Sequence, residues 1–180
     1  MKKINQNTYG LSYLPHALQL ATQVSNVLGN GKHNNAVAML LETACAETLL
    51  GTYQDPTPNG AGWGLTQADN IAVVDVAHRT RQRDRALILQ HFGYDIRQMI
   101  ASELGQDPLK AFVFTRCFYK LIPAEFPKTL EGRANYWKRH YNTFHENAKG
   151  TPSGYIKKAT LHLYSGQFTD INGGAHEFNY

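Results

Sequence analysis

The sequence predicts a mainly helical domain with one small β element, an α+β arrangement. Two observations carry that expectation. Most segments repeat apolar residues at helical spacing, and several are punctuated by proline near the start and glycine near the end. One stretch breaks the pattern: GTYQDPTPNGAG at 51–62 is dense in turn formers and runs into WGLTQ at 63–67.

Pro15 to Leu28 reads as the first helix, with Pro15 suited to a first turn, Ala17, Leu18, Ala21, Val24 and Leu28 on a helical repeat, and Gly29 as the stop. Residues 29–35 read as a loop. A second helix is expected from Ala36 to Leu50, and Gly51 begins its exit. Pro56 and Pro58 forbid helix in the next stretch. Asn59-Gly60 is the sharpest turn signal in the chain and predicts a small hairpin continuing into Trp63–Gln67. Helix is expected to return over 70–78, 79–93 and Asp95–Leu104. Asp107 and Pro108 supply an N-cap and a first-turn proline for a helix running to Ile122. Pro123 and Pro127 end it. Aromatic-rich 131–143 and the segment 151–166, opening on Thr151-Pro152, are the last two helices. The C-terminal stretch from 165 to 180 lacks a helical period and reads as a tail.

At 180 residues, 42% apolar and 18% charged, the chain suits one compact domain spanning 1–180 with a sizeable core. Cys45 and Cys117 lie in apolar helical contexts and read as buried free thiols, with a disulfide between them as the alternative. The two N-terminal lysines have no apolar run behind them, so no Sec signal is expected, and no stretch is long enough to span a membrane. The net charge of +4 favours polyanions without choosing among them. The arginines of RTRQRDR (79–85) diverge around a helix and are interrupted by Asp84, which argues against a nucleic-acid stripe. None of the eight histidines falls in a metal-ligand spacing, so neither metal nor cofactor is expected.

The second helix is apolar nearly all round, the mark of a central helix covered on most sides, yet it keeps Glu42 and Glu47. Five positions apart, they project about 140° from one another and cannot face each other. Glu42 lies roughly opposite Val37 and Thr48. Glu47 is in the last turn, in line with Leu40 and Ala44. There, desolvation and the negative end of the helix dipole both favour a protonated carboxyl. Such an acid can hand a proton to a leaving group, which makes Glu47 a candidate general acid. A capping or arginine-paired glutamate is the alternative.

ETLLGTYQDPTPNGAGWGLTQ resembles the catalytic stretch of the lysozyme-like superfamily, in particular soluble lytic transglycosylases and goose-type lysozymes. These place a glutamate at the end of a central helix, then a loop, then a Gly-Ala-x-Gly-Leu-x-Gln strand along the sugar cleft. Glu47 and Gly60–Gln67 match that order, with one extra glycine-containing position and Thr48 where serine is usual. Tyr53-Gln54-Asp55-Pro56-Thr57 is similar to the turn of phage-type lysozymes, and the segment from FTRCFYK to YWKRHYNT is similar to phage-encoded muralytic proteins. The resemblance implies a lysozyme-like fold with a hairpin beside the cleft, acting on peptidoglycan glycan strands as a monomer, with neither nucleic acid nor membrane insertion. It implies synthesis in a host cytoplasm and action on the wall after release or from a virion. Glu47 is then the acid, and Asp55 is the first candidate for a second carboxylate; Asp69 and Asp75 are the others, though Asp69 reads first as the cap of the next helix and Asp75 as a structural residue or arginine partner. Trp63, Gln67 and Tyr119 are the candidate substrate-binding residues. Trp63 offers a ring for a sugar face, Gln67 an amide for sugar hydroxyls or an acetamido group, and Tyr119 matches the cleft tyrosine of the transglycosylases, with plain packing as the alternative for Trp63 and for Tyr119 beside Phe118. The glycines at 60, 62 and 64 are expected to let the backbone approach the polysaccharide. Hydrolysis by two carboxyl groups and the single-glutamate transglycosylase route both stay open, as do a chitinase and an inactive virion structural protein on the same scaffold.

Overall fold

The structure, a computed structural model, describes residues 9–11, 14–53, 62–143 and 148–165 and the backbone of two short strands beyond them; seven α-helices lie among these described residues. The helices are α1 (Leu14–Leu28), α2 (Ala36–Thr48), α3 (Asn70–Arg79), α4 (Gln82–Phe92), α5 (Pro108–Lys120), α6 (Leu130–His140) and α7 (Pro152–Ala159). The expected helices therefore form, most of them within a residue or two of the expected ends. The expected helix over Asp95–Leu104 does not. Two 3₁₀ turns, Ile96–Gln98 and Ala101–Gly105, replace it, because Met99 and Ile100 between them are extended.

Local chemistry sets several helix starts. Asp69, Asp107, Thr129 and Thr151 each accept a hydrogen bond from the backbone N–H three positions on, at the starts of α3, α5, α6 and α7. Pro108 and Pro152 occupy the first turns that follow two of these caps. The last helix does not stop cleanly at Ala159. It widens into a π turn over Thr160–Tyr164, which redirects the Tyr164 side chain onto α2.

α2 is central: ten of its thirteen residues are buried, against α1, α5 and α7. One core, with Leu40, Leu41, Phe112, Phe114 and Leu104 at its heart, lies among α1, α2 and α5. A second, aromatic core of Tyr119, Phe126, Tyr136, Trp137 and Tyr155 fills the space where α6 and α7 cover the other side of α2. Cys45 and Cys117 are both buried free thiols. No helix among the described residues is long and apolar enough to cross a membrane.

The β content differs from expectation. Residues 62–68 form a tight turn closed by one antiparallel bridge, Trp63 with Ala68, and residues 54–61 lie outside the described residues. The C-terminal stretch instead carries a pair of two-residue antiparallel strands, Phe168–Thr169 and Ala175–His176. Gly64 also has a different task from the one expected. It is buried at φ +71°, and a Cβ there would lie 2.2 Å from the Leu104 carbonyl oxygen. Its missing side chain seats the turn on the 3₁₀ segment Ala101–Gly105, not on a ligand.

Candidate active site at the end of the central helix

α2 ends abruptly. Leu49 and Leu50 adopt left-handed φ of 50° and 54°, followed by Gly51 at 81°. Two successive leucines in that region carry backbone strain, of a kind that concentrates at functional sites. Thr48 holds the bend: its hydroxyl donates to Leu65 O at 2.7 Å and accepts from the Gly51 N–H at 3.0 Å. The end of α2 is thereby fastened to the 62–68 turn.

Glu47 sits at this end, half-buried, and forms part of the wall of a pocket of about 250 Å³. Trp137, Asn142, Lys149, Thr151 and Lys158 line the same pocket. The Trp137 indole N–H donates to Glu47 Oε1 at 2.9 Å. Lys158 donates its ammonium to the Ala46 carbonyl, which brings a positive charge beside Glu47. Burial pushes the Glu47 carboxyl up to about 7, against the opposing pull of the Trp137 hydrogen bond and of the Lys158 and Lys138 charges. At neutral pH the group is therefore divided between acid and carboxylate, as a proton donor requires.

Glu42 has the opposite fate. It is fully buried, and Arg133 of α6 grips it with two charge-assisted bonds of 2.8 and 2.7 Å. The hydroxyls of Tyr155 (3.0 Å) and Tyr164 also donate to it. The arginine-paired alternative weighed for Glu47 thus belongs to Glu42.

The remaining expected residues fall elsewhere. Asp55 lies outside the described residues. Asp69 caps α3 through the Ala72 N–H at 2.6 Å, and Asp75 pairs with Arg79 at 2.9 Å, so neither serves Glu47. Trp63 and Gln67 belong to the 62–68 turn, beyond the lining of the Glu47 pocket. Trp63 is 37% exposed, and its ring packs over Gly105. Gln67 is left-handed, φ 52°, and spends its amide N–H groups on Gly64 O (2.9 Å) and the Tyr9 hydroxyl (3.3 Å). Tyr119 is buried in the aromatic core with its hydroxyl on Thr43 (2.8 Å), and the Glu47 charge contributes to the upward shift that burial imposes on its phenol. Tyr141 packs beside it, the two rings 5.5 Å apart. It donates to Thr66 O at 2.8 Å, and the Glu47 charge contributes to the upward shift that burial imposes on its phenol. No cluster of His, Cys, Asp and Glu among the described residues could hold a metal ion.

Trp137, Tyr141, Asn142 and Lys158 escaped the sequence reading because Trp137 is 90 positions from Glu47 and Lys158 is 112 positions from Ala46. Their one local signal is the aromatic density of NYWKRHYN, where an indole N–H needs a partner once buried. Comparison with protein-family models, with curated proteins and with solved structures finds no match to this chain.

Proposed function

We propose that this protein cleaves glycosidic bonds, with Glu47 as general acid. Within that class, the proposed substrate is the β-1,4-linked glycan of peptidoglycan, cut between N-acetylmuramic acid and N-acetylglucosamine. The observation that carries the reading is Glu47 itself: a carboxyl whose pKa burial raises to about 7, on the wall of a pocket rimmed by polar and cationic side chains. The order of residues around it, a helix-end glutamate followed by a loop and Trp63-Gly64-Leu65-Thr66-Gln67, supplies the substrate class through its likeness to the lysozyme-like superfamily, whose fold we propose with it.

In this reading the protonated Glu47 donates to the departing glycosidic oxygen. The Trp137 indole holds the carboxyl in one orientation, and the Lys158 ammonium stabilises the carboxylate that remains. Trp63, the exposed ring of the 62–68 turn to which Tyr141 is hydrogen-bonded, offers a face for a sugar. Asp55 is the proposed second carboxyl of a hydrolase. A second reading, a lytic transglycosylase, is favoured by one observation: among the described residues lining the pocket, Glu47 is the only acid. The same Glu47 then takes a proton from the substrate's own hydroxyl and leaves an anhydro end.

Digestion of purified Gram-negative peptidoglycan tests both. Wild type is expected to release soluble fragments and Glu47→Gln to release essentially none. Equal release by the two proteins, or release from neither, contradicts the assignment. Fragment masses lighter by one water identify the transglycosylase route. A preference for chitin over peptidoglycan moves the substrate to the neighbouring polymer.

A further inference from the structure

A second pocket, of about 330 Å³, shares no lining residue with the Glu47 pocket and opens between the loop after α1, the start of α4 and the loop that follows α5. Arg81, Arg116, Lys120, Ile122, Glu125 and Phe126 are among its lining residues. The placement of Arg116 is unusual. It is 6% exposed, and no carboxylate lies within ion-pair distance of it among the described residues. Its Nε donates to Gly29 O at 2.9 Å, and its guanidinium stacks over Phe126 at 5.4 Å. The two terminal nitrogens donate to nothing among the described residues, and the residue lines the pocket. Desolvation lowers the pKa of this guanidinium, although the nearby Asp84 and Glu125 charges pull the other way without pairing with it.

The surroundings add charge of the same sign. Arg81 is exposed at the rim with no ion-pair partner among the described residues. Lys120 donates to Asp84 (2.6 Å) and to Leu28 O (2.9 Å), which leaves its third N–H free of both. Asp84 is thus engaged. Glu125, the one acid lining the pocket among the described residues, is exposed at its edge, where it accepts from the Lys32 N–H at 3.4 Å. Arg116, Arg81 and Lys120 thus line a space that Ile122 and Phe126 line as well. Arginine forks match the geometry of phosphate and carboxylate oxygens, and the apolar wall suits a ring or alkyl group.

We propose that this pocket binds a small oxyanion, a phosphate monoester or a carboxylate, that carries an apolar group, with Arg116 and Arg81 gripping the anion and Phe126 and Ile122 covering the rest. The site is separate from the Glu47 pocket and does not depend on the glycosidase reading. Titration calorimetry of the 180-residue chain with phenyl phosphate, benzoate and benzyl alcohol tests it. Saturable binding of phenyl phosphate or benzoate is expected, the tighter of the two naming the anion, with benzyl alcohol much weaker. Arg116→Gln is expected to weaken binding roughly tenfold or more. Arg81→Gln, a change at an exposed side chain that leaves folding intact, is expected to weaken it several-fold, and Glu47→Gln to leave it unchanged. Absence of saturable binding by both anions, equal binding of benzyl alcohol, or anion affinity unaltered in Arg81→Gln overturns the proposal.

Discussion

Glu47 and Glu42 share one helix and have opposite environments, and the difference is one of partners. Glu42 has a guanidinium and two phenols around it, so its charge is neutralised where it stands. Glu47 has one indole N–H and a lysine that is already committed to a backbone carbonyl. Two consequences follow at this scale. If Glu47 must be protonated to act, activity falls as pH rises through about 7. Trp137→Phe removes a bond that stabilises the carboxylate, so the alkaline limb of the kcat/KM profile is expected to move to higher pH. An unmoved limb would show that the indole does not tune the acid. Stability has its own sign. The folded-state pKa of Glu47 lies above its unfolded value of about 4.5, so its contribution is complete below 4.5 and is lost as pH rises to about 7. Glu47→Gln is therefore expected to match wild type in thermal melts at pH 4. At pH 8 it should be more stable by on the order of 2 kcal/mol, with the shift discounted for partial exposure.

Helix ends and turns place these groups. The caps at Asp69, Asp107 and Thr151 were legible because a cap is a matter of three neighbouring residues. The split of Asp95–Leu104 into two 3₁₀ turns was not, since the extended Met99 and Ile100 answer to packing and not to local pattern. Nor was the bend after Thr48, where two leucines take a conformation that sequence assigns to glycine. Besides its own backbone bonds, that bend is fastened to the 62–68 turn by the Thr48 hydroxyl on Leu65 O, and the turn is seated through Gly64. Gly64→Ala puts a methyl against the Leu104 carbonyl at a positive φ, and should cost about 1–3 kcal/mol of stability and loosen the end of α2. Chemical denaturation measures the loss. A variant as stable as wild type would show that the turn yields freely.

Across the whole molecule, the Glu42–Arg133 pair ties the central helix to α6 over 91 positions of sequence, and Tyr155 brings α7 into the same knot. The sequence made α2 recognisable as a central helix. It could not reveal that the face opposite Val37 and Thr48 is covered as completely as the first, because the covering residues come from the far end of the chain. Burial of a complete ion pair adds little by itself, whereas breaking one strands a charge. Arg133→Met is therefore expected to destabilise the fold by roughly 3–5 kcal/mol, and Glu42→Leu with Arg133→Met by clearly less than the sum of the single changes. Additive losses in denaturant melts would mean that the two side chains do not act as a pair. Since α6 also carries Trp137, the same knot fixes the indole over Glu47 and so joins the architecture to the chemistry.

The central claim is that the carboxyl at the end of α2 still holds a proton near neutral pH. Carbon-13 NMR of glutamate-labelled protein, with Glu47→Gln to assign the resonance, reads that proton directly. A titration midpoint near 7 is the predicted result. A midpoint near the ordinary glutamate value of about 4.3 would contradict the account, for Glu47 would then be an ionised surface group with no proton to give.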